Sequence, residues 1–240
     1  MSRPLLLIPL AGLLAGCPPR TAVRDATAPP ADPGTALAAA SAAKGPVVRP
    51  RADGKWLFPL AGGAMPRETN LLPNASRGYR GGVHEGVDLF TVADGAAVPC
   101  AAPVQNARDG WVIRADHAWR AMAGREYDVL TGALKNGPDA DMLDRLRGRQ
   151  VWVRDADGFI VRYCHLQAVA PDITVGLKIE RGTRIGLVGN SGTADGAHNT
   201  GTNCHLHFEI RLADGRFLGQ DENPRTAGEL YEALFAPPSP

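Results

Sequence analysis

Residues 205–210 read His-Leu-His-Phe-Glu-Ile, a run in which polar and apolar side chains alternate. Because successive side chains of a β-strand point to opposite faces, this period of two is typical of a half-buried strand. The three apolar residues share one face, and His205, His207 and Glu209 share the other. The run therefore predicts a strand that packs one side into a core and presents two imidazoles on the other.

Another histidine precedes a carboxylate earlier in the chain, where residues 84–88 read His-Glu-Gly-Val-Asp. On an extended chain the even offset places His84 and Asp88 on the same face. Two imidazole nitrogens and one carboxylate oxygen form a three-ligand zinc set that leaves one coordination position open for water. We therefore predict one Zn²⁺ per chain, with His84, Asp88 and His207 as its ligands.

His165 and His205 are not part of this ligand set and are free for another role at the same site. Bound zinc lowers the pKa of its water towards about 7 and polarises a carbonyl group, but proton transfer still needs a base and an acid. The chain has no His-Glu-x-x-His motif that would supply a glutamate. Free imidazoles have a pKa of about 6.5, so near neutrality they can serve in either role.

Short apolar runs separated by turn residues predict further strands. The runs at 151–154 and 159–164 flank an Asp157-Gly158 dipeptide, which is a hairpin signal. Three more strands are predicted at 87–90, 110–113 and 184–189. Short strands with Gly-rich turns favour a mainly β fold, built on a small antiparallel sheet or barrel-like core.

Residues 115–150 interrupt this pattern, because their apolar residues recur at helical spacing. Gly137-Pro138 divides the segment, and Gly148 is a candidate C-terminal stop. We expect two short helices inserted between strands, which either shape a substrate groove or form a surface decoration. The apolar residues with helical spacing are Trp119, Met122, Val129, Leu130, Leu134, Met142, Leu143 and Leu146.

The N-terminus has the features of an export signal, predicted at 1–16, with a short apolar stretch that ends Leu-Ala-Gly-Cys at residues 14–17. This ending resembles a bacterial lipobox, which implies cleavage before Cys17 and its acylation. The alternative is an ordinary signal peptide with a chance cysteine.

Residues 17–52 are rich in Ala and Pro and predict a flexible tether before a folded domain at 53–240. The expected product is an exported lipoprotein, anchored in a membrane and facing the periplasm or the cell surface.

Composition excludes several classes of protein. Of 240 residues, 44% are hydrophobic and 21% are charged, which is typical of globular proteins and not of disordered chains. The formal net charge of +1 gives no support to a nucleic-acid-binding surface. No apolar run reaches the roughly 18–20 residues that a membrane-spanning helix requires.

Three motifs, in this order along the chain, resemble the LytM/lysostaphin-type peptidoglycan endopeptidases. They are the motif at 84–88, Tyr-Cys-His-Leu at 163–166, and Gly-Asn-Ser-Gly at 189–192 followed by the run at 205–210. The resemblance covers most of residues 55–225. It implies a small antiparallel β-core with a groove, zinc held by the three predicted ligands, and His165 and His205 as catalytic histidines. It also implies a zinc metalloendopeptidase that cuts stem or bridge peptides in the crosslinks of bacterial peptidoglycan.

Four residues near the motifs are candidates for supporting roles. Tyr79 could donate a hydrogen bond to a tetrahedral oxyanion, and Glu209 could orient an imidazole ligand. Asn190 and His198 could contact substrate. The alternatives are a surface tyrosine, a solvent-facing glutamate and ordinary loop positions.

Besides Cys17 the chain has three cysteines, Cys100, Cys164 and Cys204. Export would place them in an oxidising compartment, where one pair can be bridged and one thiol left over. Cys164 and Cys204 each precede a proposed catalytic histidine. A bridge between these two is one option, and a bridge to Cys100 is the other.

Two other functions fit the same motifs. One is a non-catalytic module of the same fold that binds peptidoglycan or activates a hydrolase, although such relatives usually lack metal ligands. The other is a metallopeptidase that acts on protein instead of wall peptide. The expected partners are wall peptides and, through the lipid anchor, a membrane; nucleic acid is not expected, and a regulatory protein stays open.

Overall fold

The predicted strands are present in the computed structural model, which describes residues 48–236 apart from Ala93. The predicted signal, Cys17 and most of the predicted tether lie outside the described residues, and the domain boundary at 52/53 stays a prediction. Within the described part, eleven strands form three antiparallel sheets. The strands are β1 Ser76–Arg77, β2 Gly82–Val83, β3 Val87–Leu89, β4 Pro103–Gln105, β5 Gly110–Ala115, β6 Val151–Arg154, β7 Ile160–Cys164, β8 Leu166–Val169, β9 Lys178–Ile179, β10 Arg184–Val188 and β11 Leu206–Arg211.

The largest sheet brings the histidine motifs together. Its six strands lie in the order β3-β11-β7-β6-β5-β9, and each neighbouring pair is antiparallel. The register of β11 sets His207 opposite Asp88 on one side and opposite Cys164 on the other. Both faces of β11 are buried, and its three apolar residues belong to the core. The mainly β, antiparallel fold class is therefore confirmed.

A hairpin and a buried apolar core support this sheet. As predicted, β6 and β7 pair across the Asp157-Gly158 turn, in which Gly158 has a φ of 88°. Tyr163 of β7 is fully buried, and its hydroxyl accepts from the N–H of Ala107 at 2.7 Å and donates to Oδ1 of Asn106 at 2.9 Å. The smaller sheet β4-β10-β8 contributes to the same core. The patterns above do not identify β1, β2, β4, β8 or β9, which are two to four residues long.

The insertion contains two helices, as expected. Helix α1 spans Gly124–Ala133 and α2 spans Ala140–Arg147, with a 3-10 turn at Leu134–Asn136 between them. Helix α2 begins after Asp139, whose carboxylate accepts from a backbone N–H of its first turn. It ends at Gly148, which has a φ of 68°.

The insertion has a small apolar core of its own, because two short helices bury only the stripe that they share. Val129, which shares the predicted helical spacing, lies off that stripe and is 68% exposed. The residues of this core are Met122, Leu130, Leu134 and Leu146, with Tyr127 and Met142 packed against them.

The patterns above also leave two helices unidentified, α3 at Ala194–Ala197 and α4 at Pro224–Phe235. Asn223 caps α4 by accepting from the N–H of Thr226, and proline occupies the first helical position. The hydroxyl of Tyr231 accepts from the backbone N–H of Ile210, which fixes α4 against β11. Among the described residues, no helix is long and apolar enough to cross a membrane.

One of the two disulfide options is present. Cys100 and Cys204 are bridged, with their Cα atoms 5.2 Å apart, whereas Cys164 is a buried free thiol. A Cys164–Cys204 bridge is therefore wrong. The reason is the direction of Cys164, whose Sγ faces the side chain of Gln150 inside the domain, at 3.6 Å from its Oε1.

Candidate active site

Three ligand atoms from the predicted set meet at one buried point. Oδ1 of Asp88 lies 3.0 Å from Nε2 of His84 and 2.7 Å from Nδ1 of His207, and the two ring nitrogens are 2.9 Å apart. β3 supplies the carboxylate, β11 supplies His207, and the chain just before β3 supplies His84. The predicted ligands therefore form a group that could hold a metal ion.

The hydrogen bonds on the far sides of the rings show which atoms carry lone pairs. Nδ1 of His84 lies 3.0 Å from the carbonyl oxygen of Leu72 and donates to it. Nε2 of His207 donates in the same way to Oε1 of Glu209, at 2.9 Å. When both rings are neutral, Nε2 of His84 and Nδ1 of His207 therefore both point lone pairs at the Asp88 carboxylate. Burial opposes a charge on His207, but its contacts with Asp88 and Glu209 raise its pKa, so a proton takes this place when no metal ion is bound. Two imidazole nitrogens and one carboxylate oxygen at this separation fit a metal ion.

The separations also suit zinc. Tetrahedral zinc with bonds of about 2.0–2.1 Å places its ligand atoms about 3.3 Å apart, so the three side chains would spread by only a few tenths of an ångström. The second oxygen of Asp88 is engaged elsewhere, since Oδ2 accepts from Arg77 at 3.2 Å. Burial alone would raise the pKa of Asp88, but the adjacent His84 and His207 hold that pKa well below its usual value. The carboxylate is therefore ionised and ready to bind a cation.

Two more imidazoles lie beside the three ligands. The ring centre of His165 is 4.7 Å from that of His205 and 5.6 Å from that of His207. Nε2 of His205 is 3.8 Å from Oδ1 of Asp88, and its ring stacks on Phe90 with 4.1 Å between centres. The five side chains that the motifs single out are therefore one cluster.

Backbone carbonyls orient these two rings. Nδ1 of His165 donates to the oxygen of Ser191 at 2.8 Å, and Nδ1 of His205 donates to the oxygen of Asn203 at 2.9 Å. Burial lowers the pKa of His165 well below its usual value, and it also lowers the pKa of His205. Both rings are therefore neutral, and each has its Nε2 lone pair available. His165 has a φ of 61°, a left-handed conformation that few residues other than glycine and asparagine adopt readily.

Glu209 is fully buried and is the centre of a cluster of charges. Besides accepting from His207, its carboxylate accepts from Arg147 at 2.6 Å, from Arg162 at 3.2 Å and from Arg211 at 2.8 Å. Burial would raise the pKa of Glu209, but the surrounding arginines and His207 hold it well below its usual value. The predicted contact between Glu209 and an imidazole ligand is present, and the alternative of a solvent-facing glutamate is wrong.

The sequence patterns above do not identify the arginines around Glu209. Arg211 had a signal, because it continues the alternation of the 205–210 run, whereas Arg162 is opposite Glu209 only through the register of β7 and β11. Arg147 had none, because it is the last residue of α2 in the insertion. A buried carboxylate needs this compensation, since an unpaired buried charge is strongly destabilising.

The other three predicted site residues lie away from the ligand triangle. Tyr79 is 52% exposed and lies near Tyr127 of α1, whose pKa is raised first by burial and then by the nearby Tyr79. His198 also faces α1, with Nε2 3.5 Å from Oδ1 of Asp128. Asn190 donates to a carbonyl of its own loop and lines a cavity beside that loop. Within the described residues, none of the three hydrogen-bonds to a ligand candidate, and their roles stay predictions.

Comparison of the whole sequence with protein families gives one decisive match. The sequence model of peptidase family M23 matches residues 82–220, which is more than half of the chain. The chain belongs to peptidase family M23. The matched region includes the three ligand candidates, His165, His205 and the insertion. The resemblance to LytM/lysostaphin-type peptidases is therefore confirmed at the level of the family.

Solved structures with related folds share little sequence with this M23 member. A Pseudomonas aeruginosa protein assigned to peptidase M23 has a TM-score of 0.40 and 20% identity, over 76% of this chain and 55% of that chain. A zinc-containing peptidase from Vibrio cholerae has a TM-score of 0.39 and 20% identity, over 71% and 39%. The catalytic domain of lysostaphin from Staphylococcus simulans has a TM-score of 0.38 and 19% identity, over 74% and 93%. The chain thus spans about half, or less, of the first two structures, and no curated protein matches it.

Proposed function

We propose that the protein is a zinc-dependent endopeptidase that hydrolyses peptide crosslinks of bacterial peptidoglycan. The observation that carries the proposal is the convergence of three lone-pair donors, His84, Asp88 and His207, with two neutral imidazoles beside them. Membership of peptidase family M23 supports peptide-bond hydrolysis. The motif resemblance to LytM/lysostaphin-type enzymes supports wall peptides as the substrate.

One Zn²⁺ held by His84, Asp88 and His207 would polarise a scissile carbonyl and lower the pKa of water. His165 and His205 supply the proton transfers. Because each donates Nδ1–H to a backbone carbonyl, each has Nε2 free to take the proton that water loses when it attacks the carbonyl carbon. The protonated ring then delivers that proton to the amine nitrogen as the carbon–nitrogen bond breaks. While it is protonated, the imidazolium ring also stabilises negative charge on the carbonyl oxygen.

Export and lipid anchoring are part of the proposal. They rest on the lipobox-like residues 14–17, with Cys17 as the acylated residue, and on the tether of residues 17–52. The bridge between Cys100 and Cys204 supports an oxidising compartment, because disulfides rarely persist in a reducing cytosol. Peptidoglycan lies in the same compartment, within reach of a tethered domain.

The test is digestion of purified peptidoglycan by the metal-loaded protein, with new peptide termini identified by mass spectrometry. His84→Ala and His207→Ala should lose both the bound zinc and the cleavage. Unchanged digestion by either variant would refute the catalytic proposal. A wild-type protein that binds zinc and wall but releases no new termini would point to the non-catalytic module instead. Cleavage of protein substrates alone would point to a general metallopeptidase.

A further inference from the structure

A cavity of about 380 Å³ lies between the insertion and the loop that precedes β11. Trp119 and Met122, from the start of the insertion, line one side, and Ser191 lines the other. Arg149, near the end of the insertion, also lines the cavity. This volume is in the range of small-molecule sites and can take an amino-acid residue of a peptide.

Arg149 is the only charged residue among the described residues that line this cavity. Its guanidinium donates to the carbonyl oxygens of Gln167 and Trp119, and it lies over the ring of Trp119, 5.6 Å from the ring centre. Its Nε is buried without a hydrogen-bond partner. Within the described part of the chain, no carboxylate lies at ion-pair distance from it. Its charge is therefore not compensated by a carboxylate of these residues.

Several other arginines of this domain differ from Arg149 in this respect. Arg147 and Arg211 each pair with both Glu85 and Glu209, and Arg108 forms an ion pair with Asp155 at 2.8 Å. A buried or half-buried guanidinium without a carboxylate is costly unless a ligand supplies one. Arg149 is not alone in this, since the buried Arg80 donates to the carbonyl oxygen of Val83, but Arg149 lines a cavity, which is where a ligand can reach it.

The cavity adjoins the proposed catalytic histidines. The backbone N–H of Arg149 donates to Oγ of Ser191 at 2.9 Å, and the carbonyl oxygen of Ser191 accepts from Nδ1 of His165 at 2.8 Å. On the other side, Cys204 lines the cavity and directly precedes His205. The five clustered side chains do not line the cavity themselves, so the inference requires that a peptide bound at the two histidines extends past Ser191 or Cys204 into it.

We propose that the cavity is a subsite for a free carboxylate of the wall peptide, held by Arg149 against Trp119. The inference rests on the proposed function and names which substrates the site prefers. Wall crosslinks that contain a diamino acid can carry a free carboxylate next to the scissile bond or have it amidated. Guanidinium groups bind carboxylates through a planar fork of N–H donors, whereas an amide presents N–H groups of its own and no charge.

The test uses two crosslinked muropeptide dimers that differ only at the diamino acid beside the crosslink, where the carboxylate is free or amidated. The measured quantity is the ratio of kcat/KM for the free dimer to that for the amidated dimer. The wild type should prefer the free carboxylate by about tenfold or more, as expected for a charge-assisted hydrogen bond. Arg149→Gln should bring the ratio close to one, and Arg149→Lys should keep only part of it.

Arg125→Gln is the matched control, since Arg125 is an exposed arginine of the same insertion and its loss changes the net charge equally. It should keep the wild-type ratio. A wild-type ratio near one, or a ratio that survives in Arg149→Gln, would overturn the subsite. A ratio lost equally in Arg125→Gln would do the same, because it would indicate a diffuse electrostatic effect.

A binding measurement separates this inference from the proposed function. The matching uncrosslinked peptides, free and amidated, are titrated into metal-loaded protein, and the indole signal of Trp119 is followed by NMR. Tighter binding of the free peptide by about tenfold, abolished in Arg149→Gln, supports the subsite even if no dimer is cleaved. In that case only the proposed function fails. Equal binding of the two peptides contradicts the subsite whether or not the protein is a peptidase.

Discussion

Arg147 of the insertion donates a hydrogen bond from Nε to Oε1 of Glu209 on β11, over 2.6 Å, and both side chains are buried. The same carboxylate oxygen accepts from Nε2 of His207, whose Nδ1 faces the other two ligand candidates. The carbonyl oxygen of Arg147 also accepts from the backbone N–H of His165, at 2.9 Å. The insertion therefore contacts the supports of both a metal ligand and a neighbouring imidazole, which a surface decoration would not do.

Removing the Arg147 side chain should weaken metal binding although it contacts no ligand atom. Arg147→Gln leaves Glu209 less compensated and freer to shift, so we expect zinc affinity to fall by about 10–100-fold, as for other residues that orient a ligand. Because a buried pair is broken, the free energy of unfolding should fall by about 3 kcal/mol. Chelator competition and urea unfolding measure the two effects.

Arg145→Gln is the control for this change, because Arg145 is an exposed arginine of the same helix. It should leave both quantities at the wild-type value. The absorption spectrum of the Co²⁺-substituted protein separates positioning from loss of stability: Arg147→Gln should alter it, whereas a purely structural role would leave it unchanged. Wild-type zinc affinity in Arg147→Gln would contradict the argument.

Glu209 should be needed for its charge and not only for its shape. Glu209→Gln can still accept from Nε2 of His207, but it leaves three arginines facing a neutral side chain. We expect zinc affinity to fall by about 10–100-fold and stability to fall as well. The double variant Glu209→Gln with Arg147→Gln should lose less than the sum of the single changes, because the two residues act as a pair. Additive losses would show that they act independently.

The sequence predicts those parts of the site in which the interacting residues are close together in the chain. The alternation in residues 205–210 predicts one face of β11, including the ligand candidate His207, and the even offset between His84 and Asp88 predicts the other two ligands. Arg147 is 62 residues from Glu209, so only the tertiary fold reveals their contact. Tyr79 lies close to His84 in the chain, yet the chain directs it towards the insertion.

The fold follows the same rule. The predicted strands form within about two residues of where the pattern places them. The helical spacing over residues 115–150 predicts that two helices exist but not where they end, since Trp119 and Met122 lie outside α1. Strands of two residues such as β1 and β2 are stabilised by their partners and are too short to show a period. Helix α4 did have a signal, the Asn223-Pro224 start, which could have identified it.

Removal of His165 should slow cleavage strongly while the metal stays bound, because the proposed proton transfer uses its Nε2 and the ligand triangle does not. The backbone of His165 has a φ of 61°, so Ala would add strain to the loss of the imidazole. Asn adopts this conformation readily, which makes His165→Asn the sharper variant. We expect kcat to fall by about 10²–10⁴-fold with one zinc per chain retained. Loss of zinc from His165→Asn, or cleavage at the wild-type rate, would contradict its role.

The bridge between Cys100 and Cys204 should stabilise the domain and the start of β11 together. It closes a loop of 104 residues, for which the chain-entropy estimate is about 4.7 kcal/mol and typical measured values are about 2–4 kcal/mol. Cys100→Ser should therefore lower the urea midpoint, and because Cys204 precedes His205 it should also lower kcat. Cys164→Ala is the control, since Cys164 is a buried free thiol and its loss leaves the bridge intact. A Cys100→Ser variant with the wild-type midpoint, or alkylation of Cys204 in the unreduced, denatured protein, would show that the bridge does not form.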